Sequence, residues 1–176
     1  MTSLIPSIAR PIVLTNRDYV ETHPGRDSSL SASALVASVL YASRVYPDHD
    51  FIITKLMWCN GAVVAGNVEV CVWTFDGTTW TRAGTSGTVA QSGATAKQVV
   101  TGLSIPVYRA LPTYLSLMTS DSSATFARSV ATAAGMNDVS ASGIHSGLKA
   151  AVGIPAPGTV TAIAADIRTV WIAGAA

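Results

Sequence analysis

The sequence predicts an all-β protein, an antiparallel β-sandwich or jelly roll with an extended N-terminal arm and an irregular C-terminal segment. Segments with strand character recur roughly every ten to fifteen residues, with turn residues between them and no helical crossover. Charged helix formers are scarce, since the chain has three lysines and two glutamates. Short strands joined by turns are typical of sandwiches rather than of α/β folds.

The composition indicates one folded domain whose surface is largely covered by other protein. The 176 residues are 49% hydrophobic and 12% charged, which argues against intrinsic disorder. The net charge of +1 provides no basic surface for nucleic acid. No apolar stretch is long enough to span a membrane, and residues 1–10 lack the pattern of a secretion signal. We therefore expect contacts with copies of this chain or with partner proteins, and no nucleic-acid or membrane binding.

Three regions are predicted along the chain. Residues 1–33 form an arm with one short strand at 12–14, which either drapes over a neighbouring subunit or is a poorly ordered terminus. Residues 34–130 form the sandwich core. Residues 131–176 belong to the same domain: 131–165 is irregular and rich in Ala, Gly and Pro, and 167–173 is a closing strand.

The clearest strand patterns lie in the first half of the core. Residues 67–75 alternate between two faces, and 51–59 are rich in β-branched and aromatic side chains. Residues 34–46 also contain apolar residues at helical spacing, but a strand is favoured for 38–46 because β-branched and aromatic residues fill it and Pro47 ends it.

A hairpin centred near Val63 is predicted to join the strands at 51–59 and 67–75. Its register sets three pairs of side chains opposite each other: Trp58 with Val68, Leu56 with Val70, and Thr54 with Val72. One face of this hairpin is then apolar and buried. The other face carries Lys55 diagonal to Glu69, within reach of a weak ion pair.

The Asp-Gly pair at 76–77 predicts a tight hairpin that returns as a strand over 79–82. A two-residue loop sets Trp73 opposite Trp80, and a four-residue loop sets Phe75 there. In both cases Trp80 shares a face with Trp73, because side chains alternate along a strand.

Shorter patterns predict the remaining elements. A loop of small residues over 84–96 comes first, and the strands follow at 97–101, 103–110 (extended as far as a Leu-Pro turn), 114–119 and 125–130. In the 114–119 strand the side chains divide between two faces: Tyr114, Ser116 and Met118 on one, Leu115 and Leu117 on the other.

Eight aromatic side chains are candidates for a sugar platform or for packing contacts: Trp58, Trp73, Trp80, Trp171, Tyr41, Tyr46, Tyr108 and Tyr114. Trp58 falls on the apolar face and is assigned to the core. Trp73 and Trp80 share the less apolar face. They are therefore the candidate binding residues, either for a glycan or for a neighbouring subunit.

No constellation of reactive side chains indicates an enzyme. Asp48-His49-Asp50 is either a solvated turn or a corner that holds a metal ion. The stretch 143–147 has His145 at the position where a nucleophile elbow needs serine. His23 has no second histidine at metal-ligand spacing. We expect no catalytic residue, no metal site and no cofactor.

Cys59 and Cys71 are predicted to be free and mostly buried thiols. The hairpin centred near residue 63 leaves them four residues out of step. A register centred on residue 65 would set them opposite each other and permit a disulfide.

Turn and strand motifs recur between residues 41 and 130: Tyr41-Ala-Ser-Arg-Val-Tyr46, Asn60-Gly-Ala-Val-Val-Ala-Gly-Asn-Val-Glu-Val70, Phe75-Asp-Gly-Thr-Thr79, Gly84-Thr-Ser-Gly87, Tyr114-Leu-Ser-Leu-Met118 and Thr125-Phe-Ala-Arg128. In these motifs, which fall in about half of the chain, the sequence resembles β-sandwich virion structural proteins of tailed bacteriophages. The resemblance implies a decoration, fibre or tail-associated protein that forms a symmetric homo-oligomer on a virion. It carries over no site residues.

The sequence thus predicts a protein that works by contact rather than by chemistry. The first hypothesis is a phage virion structural protein, a capsid decoration or head- or tail-associated protein bound to other virion proteins and to copies of itself. The alternative is a carbohydrate-binding β-sandwich module that attaches to host-surface glycans through Trp73 and Trp80. Sparse charge and the arm favour the first hypothesis, and the paired tryptophans favour the second.

Overall fold

The computed structural model describes residues 18–22, 31–130, 139–140, 143–144, 148–161, 164–165 and 168–176. This part of the chain is all-β, as predicted, and contains no helix long and apolar enough to cross a membrane. The strands in it are β1 Tyr19–Glu21, β2 Ser31–Ala34, β3 Val39–Val45, β4 Phe51–Cys59, β5 Asn67–Phe75, β6 Trp80–Thr85, β7 Val89–Ala90, β8 Lys97–Val107, β9 Thr113–Thr119, β10 Thr125–Val130, β11 Val139–Ser140, β12 Gly143–Ile144, β13 Leu148–Ala151, β14 Thr159–Val160, β15 Ala164–Ala165, β16 Arg168–Val170 and β17 Ile172–Ala175.

Two antiparallel sheets form the body of the molecule. The larger sheet has the strand order β14-β6-β5-β9-β3-β13-β15, with β7 also paired to β5, and the smaller sheet has the order β1-β17-β4-β8. A three-stranded sheet, β16-β10-β2, and the pair β11-β12 complete the pairing among the described residues. All these pairings are antiparallel, consistent with the predicted β-sandwich.

The main hydrophobic core contains side chains from both sheets. It includes Ile53, Leu56 and Trp58 of β4, Val68, Val70 and Val72 of β5, Ile105 and Val107 of β8, and Leu115 and Leu117 of β9. Each such side chain, when fully buried, stabilises the fold by roughly 1.5–3 kcal/mol before entropy is counted. The alternation predicted for β5 and β9 is therefore confirmed, because their valines and leucines all face this core.

The predicted hairpin between β4 and β5 is wrong. β4 pairs with β8 and β17, whereas β5 pairs with β6, β7 and β9. Residues 60–66 connect the two sheets instead, and hydrogen bonds from Gly61 and Val63 to Thr125 hold this connection. The pairs predicted as strand neighbours lie in different sheets: Trp58 and Val68, Leu56 and Val70, Thr54 and Val72. Alternation fixes the face of a residue, but the connecting turn decides which strand lies beside it.

The predicted ion pair between Lys55 and Glu69 is also wrong, for the same reason. Lys55, on the smaller sheet, donates from Nζ to the carbonyl oxygen of Ala176 at 3.0 Å. Glu69 lies on the larger sheet, where it is buried with other partners.

An irregularity between β4 and β8 takes Thr54 off the predicted apolar face. The register shifts between Ile53 and Lys55, and the facing stretch of β8 includes Gly102 with φ of 77°. Glycine adopts this left-handed backbone at no steric cost, which permits a bulge. Both Ile53 and Leu56 consequently face the core, although strict alternation would place them on opposite faces.

The Asp-Gly pair forms the predicted turn with the longer of the two loops. Phe75 lies opposite Trp80, so four residues separate the strands. Asp76 Oδ1 accepts hydrogen bonds from the amides of Thr79 and Thr78 at 2.8 and 2.9 Å, and these bonds lower the pKa of the Asp76 carboxyl.

Several predicted strands match the structure closely. Those at 51–59, 67–75 and 125–130 coincide with β4, β5 and β10. The strand predicted at 38–46 is one residue longer than β3 at each end, and the one predicted at 114–119 begins one residue later than β9. Their bounds were predictable because prolines, glycines or aspartates flank them.

Other predicted elements differ from the structure. β6 and β7 occupy part of the predicted loop at 84–96, and the predicted strands at 97–101 and 103–110 are one strand, β8. The closing strand is split into β16 and β17. The predictions for residues 12–14, His23 and His145 lie outside the described residues.

The outer face of the larger sheet is buried too, whereas the sequence predicted one buried face. A second hydrophobic cluster lies there, formed by Leu40, Ala42, Cys71, Trp73, Trp80, Tyr114, Met118, Ala150, Ala156 and Val160. Every residue of β9 is buried. Residues 152–158, which connect β13 to β14 and show no period in the sequence, cover this face with Val152, Ile154 and Ala156.

Candidate interaction surface

Trp73 and Trp80 lie in the cluster under residues 152–158. Trp73 is 0% exposed and donates from Nε1 to Ser116 Oγ at 2.8 Å. Trp80 is 4% exposed, and its ring centroid lies 4.0 Å from that of Tyr114. Neither indole presents an open face on which a sugar ring could stack, so both tryptophans act as packing residues within the chain.

Glu69 holds the covering segment to the sheet. Its side chain is 1% exposed. Oε1 accepts a hydrogen bond from Thr85 Oγ1 and Oε2 accepts one from the Ala156 amide, both at 2.7 Å. Arg82 Nη1 lies 3.6 Å from Oε1 and also donates to the Ala156 carbonyl oxygen. This buried carboxylate therefore has a structural role.

Exposed apolar side chains concentrate at one end of the sandwich. The loop from β3 to β4 and the loop from β8 to β9 meet there, since Phe51 pairs with Val107 and Val45 with Thr113. We call residues 44–52 and 106–112 the loop-end surface. It carries four of the seven large hydrophobic side chains that are strongly exposed in the described residues: Tyr46 (62%), Ile52 (46%), Tyr108 (45%) and Leu111 (44%).

A shallow cleft of about 110 Å³ divides the loop-end surface. Arg44, Tyr46 and Pro47 line one side, and Arg109, Leu111 and Pro112 line the other. The Arg44 guanidinium carbon lies 5.0 Å from the centroid of the Tyr46 ring, a cation–π distance. The cleft thus combines two cations with aromatic and aliphatic surface, which is typical of protein interfaces.

A hydrogen-bonded histidine stands beside this cleft. His49 Nε2 lies 2.5 Å from Asp18 Oδ1, and Nδ1 lies 2.5 Å from Asp48 Oδ1. The hydrogen bonds to Asp18 and then to Asp48 raise the pKa of His49 above its ordinary 6.5. Protonated His49 therefore ties Asp18, just before β1, to the loop between β3 and β4.

The possible metal corner at Asp48-His49-Asp50 is occupied by protein partners. Asp48 faces His49, whereas Asp50 Oδ1 accepts a hydrogen bond from the Arg109 amide at 2.8 Å. The carboxylates do not converge on a common point. Within the part of the chain that the structure describes, no group of three or more His, Cys, Asp or Glu side chains could hold a metal ion.

Both cysteines are free, as predicted, and they lie on different sheets. Cys71 is fully buried, and burial followed by the nearby Glu69 charge raises its pKa to about 12. Cys59 is half-buried, and burial raises its pKa as well. Neither thiol is activated as a nucleophile.

The exposure of the loop-end residues was not predicted from the sequence. Tyr46 and Tyr108 were among the eight aromatic candidates, but the tryptophans were preferred because alternation placed them on a face with fewer aliphatic residues. The usable signal was the position of Tyr46 directly before Pro47, and of Tyr108-Arg109 before Leu111-Pro112, because residues beside turns stay exposed.

Comparison with known proteins adds no relative: no protein-family model matches this chain, and no curated protein matches it.

Proposed function

We propose that this protein works by association with other protein subunits, as a structural component of a virion such as a capsid decoration or head- or tail-associated protein. The observation that carries the proposal is the loop-end surface, where exposed Tyr46 and Leu111 line a cleft together with two arginines, and Tyr108 is exposed next to it in the sequence. Tyrosine and arginine are enriched among the residues that dominate binding at protein interfaces.

The rest of the molecule supports contact rather than catalysis. Glu69 is enclosed by structural hydrogen bonds, and both ring nitrogens of His49 face carboxylates. The charged fraction of the chain is 12%, which is low for a free surface. The resemblance of residues 41–130 to tailed-phage virion proteins supports a virion as the assembly.

The test is the binding of surface variants to the particle. Tyr46→Ser combined with Leu111→Ser removes two exposed side chains at the loop end. Val63→Ser combined with Val99→Ser removes two exposed valines elsewhere. We expect the first double variant to lose about tenfold or more in affinity for particles on a density gradient, and the second to bind like the unchanged chain. Equal binding by both double variants would contradict the proposal.

A carbohydrate-binding role is the second candidate. The residues that would bind the sugar are then the exposed Tyr46 and Tyr108 rather than the buried Trp73 and Trp80. Aromatic rings at the surface can stack on a sugar face. On this proposal Tyr108→Ala abolishes retention of the chain on a host-glycan array, while Trp80→Ala alters stability instead. Failure of the unchanged chain to bind any glycan on the array would dismiss it.

A further inference from the structure

We infer that the cleft of the loop-end surface is a docking site for an acidic segment of a different protein, one that presents a carboxylate between apolar side chains. This inference rests on the proposed function and specifies the chemistry of the partner.

The two arginines at the cleft supply the charge for such a partner. Arg44 Nε is buried and has no hydrogen-bond acceptor among the described residues. Neither Arg44 nor Arg109 forms a salt bridge with a carboxylate in the described part of the chain. A guanidinium donates to a carboxylate in a planar, two-pronged geometry, so the two arginines that line the cleft suit the same class of ligand.

The nearby acidic residues lie outside the cleft and have other hydrogen-bond partners. Asp48 and Asp18 face the His49 ring, and Asp50 accepts from the Arg109 amide. None of the three lines the cleft. The acidic groups of this end are thus engaged by backbone or imidazole, while Arg44 and Arg109 line the cleft.

Exposed aliphatic side chains at the loop-end surface favour a peptide over a sugar as the partner. Leu111 is exposed beside Arg109, and Ile52 is exposed at the start of β4. Aliphatic side chains of this kind are covered by apolar residues of a peptide more favourably than by a hydroxylated sugar.

A second copy of the chain is a poor occupant, since a two-fold contact at this end would set the arginines of one copy against those of the other.

Fluorescence anisotropy of labelled peptides tests the inference on the full chain. The probe is the pentapeptide Leu-Glu-Phe-Glu-Leu, and its control is Leu-Gln-Phe-Gln-Leu. We expect the glutamine peptide to bind about tenfold or more weakly. Arg109→Gln, at an exposed position, lowers affinity for the glutamate peptide by a similar factor. Lys97→Gln, which removes an exposed cation at the opposite end of β8, leaves it unchanged.

Several results would overturn the inference. One is equal binding of the two peptides, or no binding at a protein concentration of about 1 mM. Another is displacement of the peptide by glucuronate at a lower concentration than by unlabelled peptide, which would indicate an acidic sugar. The last is a self-association measured by sedimentation that Arg109→Gln abolishes, which would make a second copy the occupant. If the chain still binds particles while the peptide fails, the inference falls and the proposed function stands.

Discussion

Removal of the Glu69 carboxylate should loosen the connection 152–158 from the face of the larger sheet that it covers. In Glu69→Ala the amide of Ala156 loses its acceptor, Thr85 Oγ1 loses a partner, and Arg82 loses its nearest carboxylate. The second hydrophobic cluster, which this segment covers, then gains access to water.

The expected loss follows from the burial of the group. Breaking a buried charged pair by removing one partner costs about 3–5 kcal/mol, because the remaining groups stay buried without compensation. Arg82 keeps its bond to the Ala156 carbonyl oxygen and is partly exposed, so we expect a value near the lower end, about 3 kcal/mol. Glu69→Gln keeps one acceptor and should lose less.

Urea unfolding measures this loss, and the second glutamate of the chain provides the control. Glu21 is half-buried and accepts a hydrogen bond from the Tyr19 hydroxyl at 2.8 Å. Glu21→Ala should cost less than about 1 kcal/mol. Hydrogen exchange locates the effect, since the Ala156 amide should exchange faster in Glu69→Ala and at the native rate in Glu21→Ala. Equal losses of stability in the two variants, or native protection of the Ala156 amide without Glu69, would refute the structural role of Glu69.

Three further predictions concern the core, the histidine and the thiols. Leu56→Ala should cost about 2–5 kcal/mol in urea unfolding and Lys55→Ala well under 1 kcal/mol; comparable losses would mean that the face of β4 is reversed. Because the pKa of folded His49 is raised, its contact with Asp18 is fully stabilising below pH 6.5 and is lost as the pH rises through the folded pKa. NMR titration of the ring should give a pKa above 6.5, and a value at or below 6.5 would contradict this. Iodoacetamide near neutral pH should modify Cys59 before Cys71 in the native protein, as read by peptide mass, since Cys71 is buried and its pKa is about 12; equal rates would show that the larger sheet opens.

The faces of the strands could be predicted from the sequence because alternation is a local property. Val68, Val70 and Val72 face the main core, and Trp73 faces the other way, as the pattern required. The partner of a strand is not a local property. Residues 60–66 have the glycines and length of a hairpin loop, but bonds to Thr125, distant in the sequence, turn them into a crossing between sheets.

The candidate site was less predictable than the fold. Trp73 and Trp80 share a face, as predicted, yet the exposure of that face depends on a segment almost eighty residues further along whose residues carry no pattern. Arg44 and Arg109 meet only because β3 pairs with β9 and β4 with β8. Neither pairing is encoded within a single window of the sequence.

The mass of the native complex tests the central proposal, that this chain works by association. Sedimentation of the chain from the cells that produce it separates an 18.1 kDa monomer from a subunit of a large particle. We predict that most of the chain migrates with particles far heavier than itself and is released by denaturant. A chain that sediments entirely as a monomer, at every concentration found in those cells, would contradict the proposal.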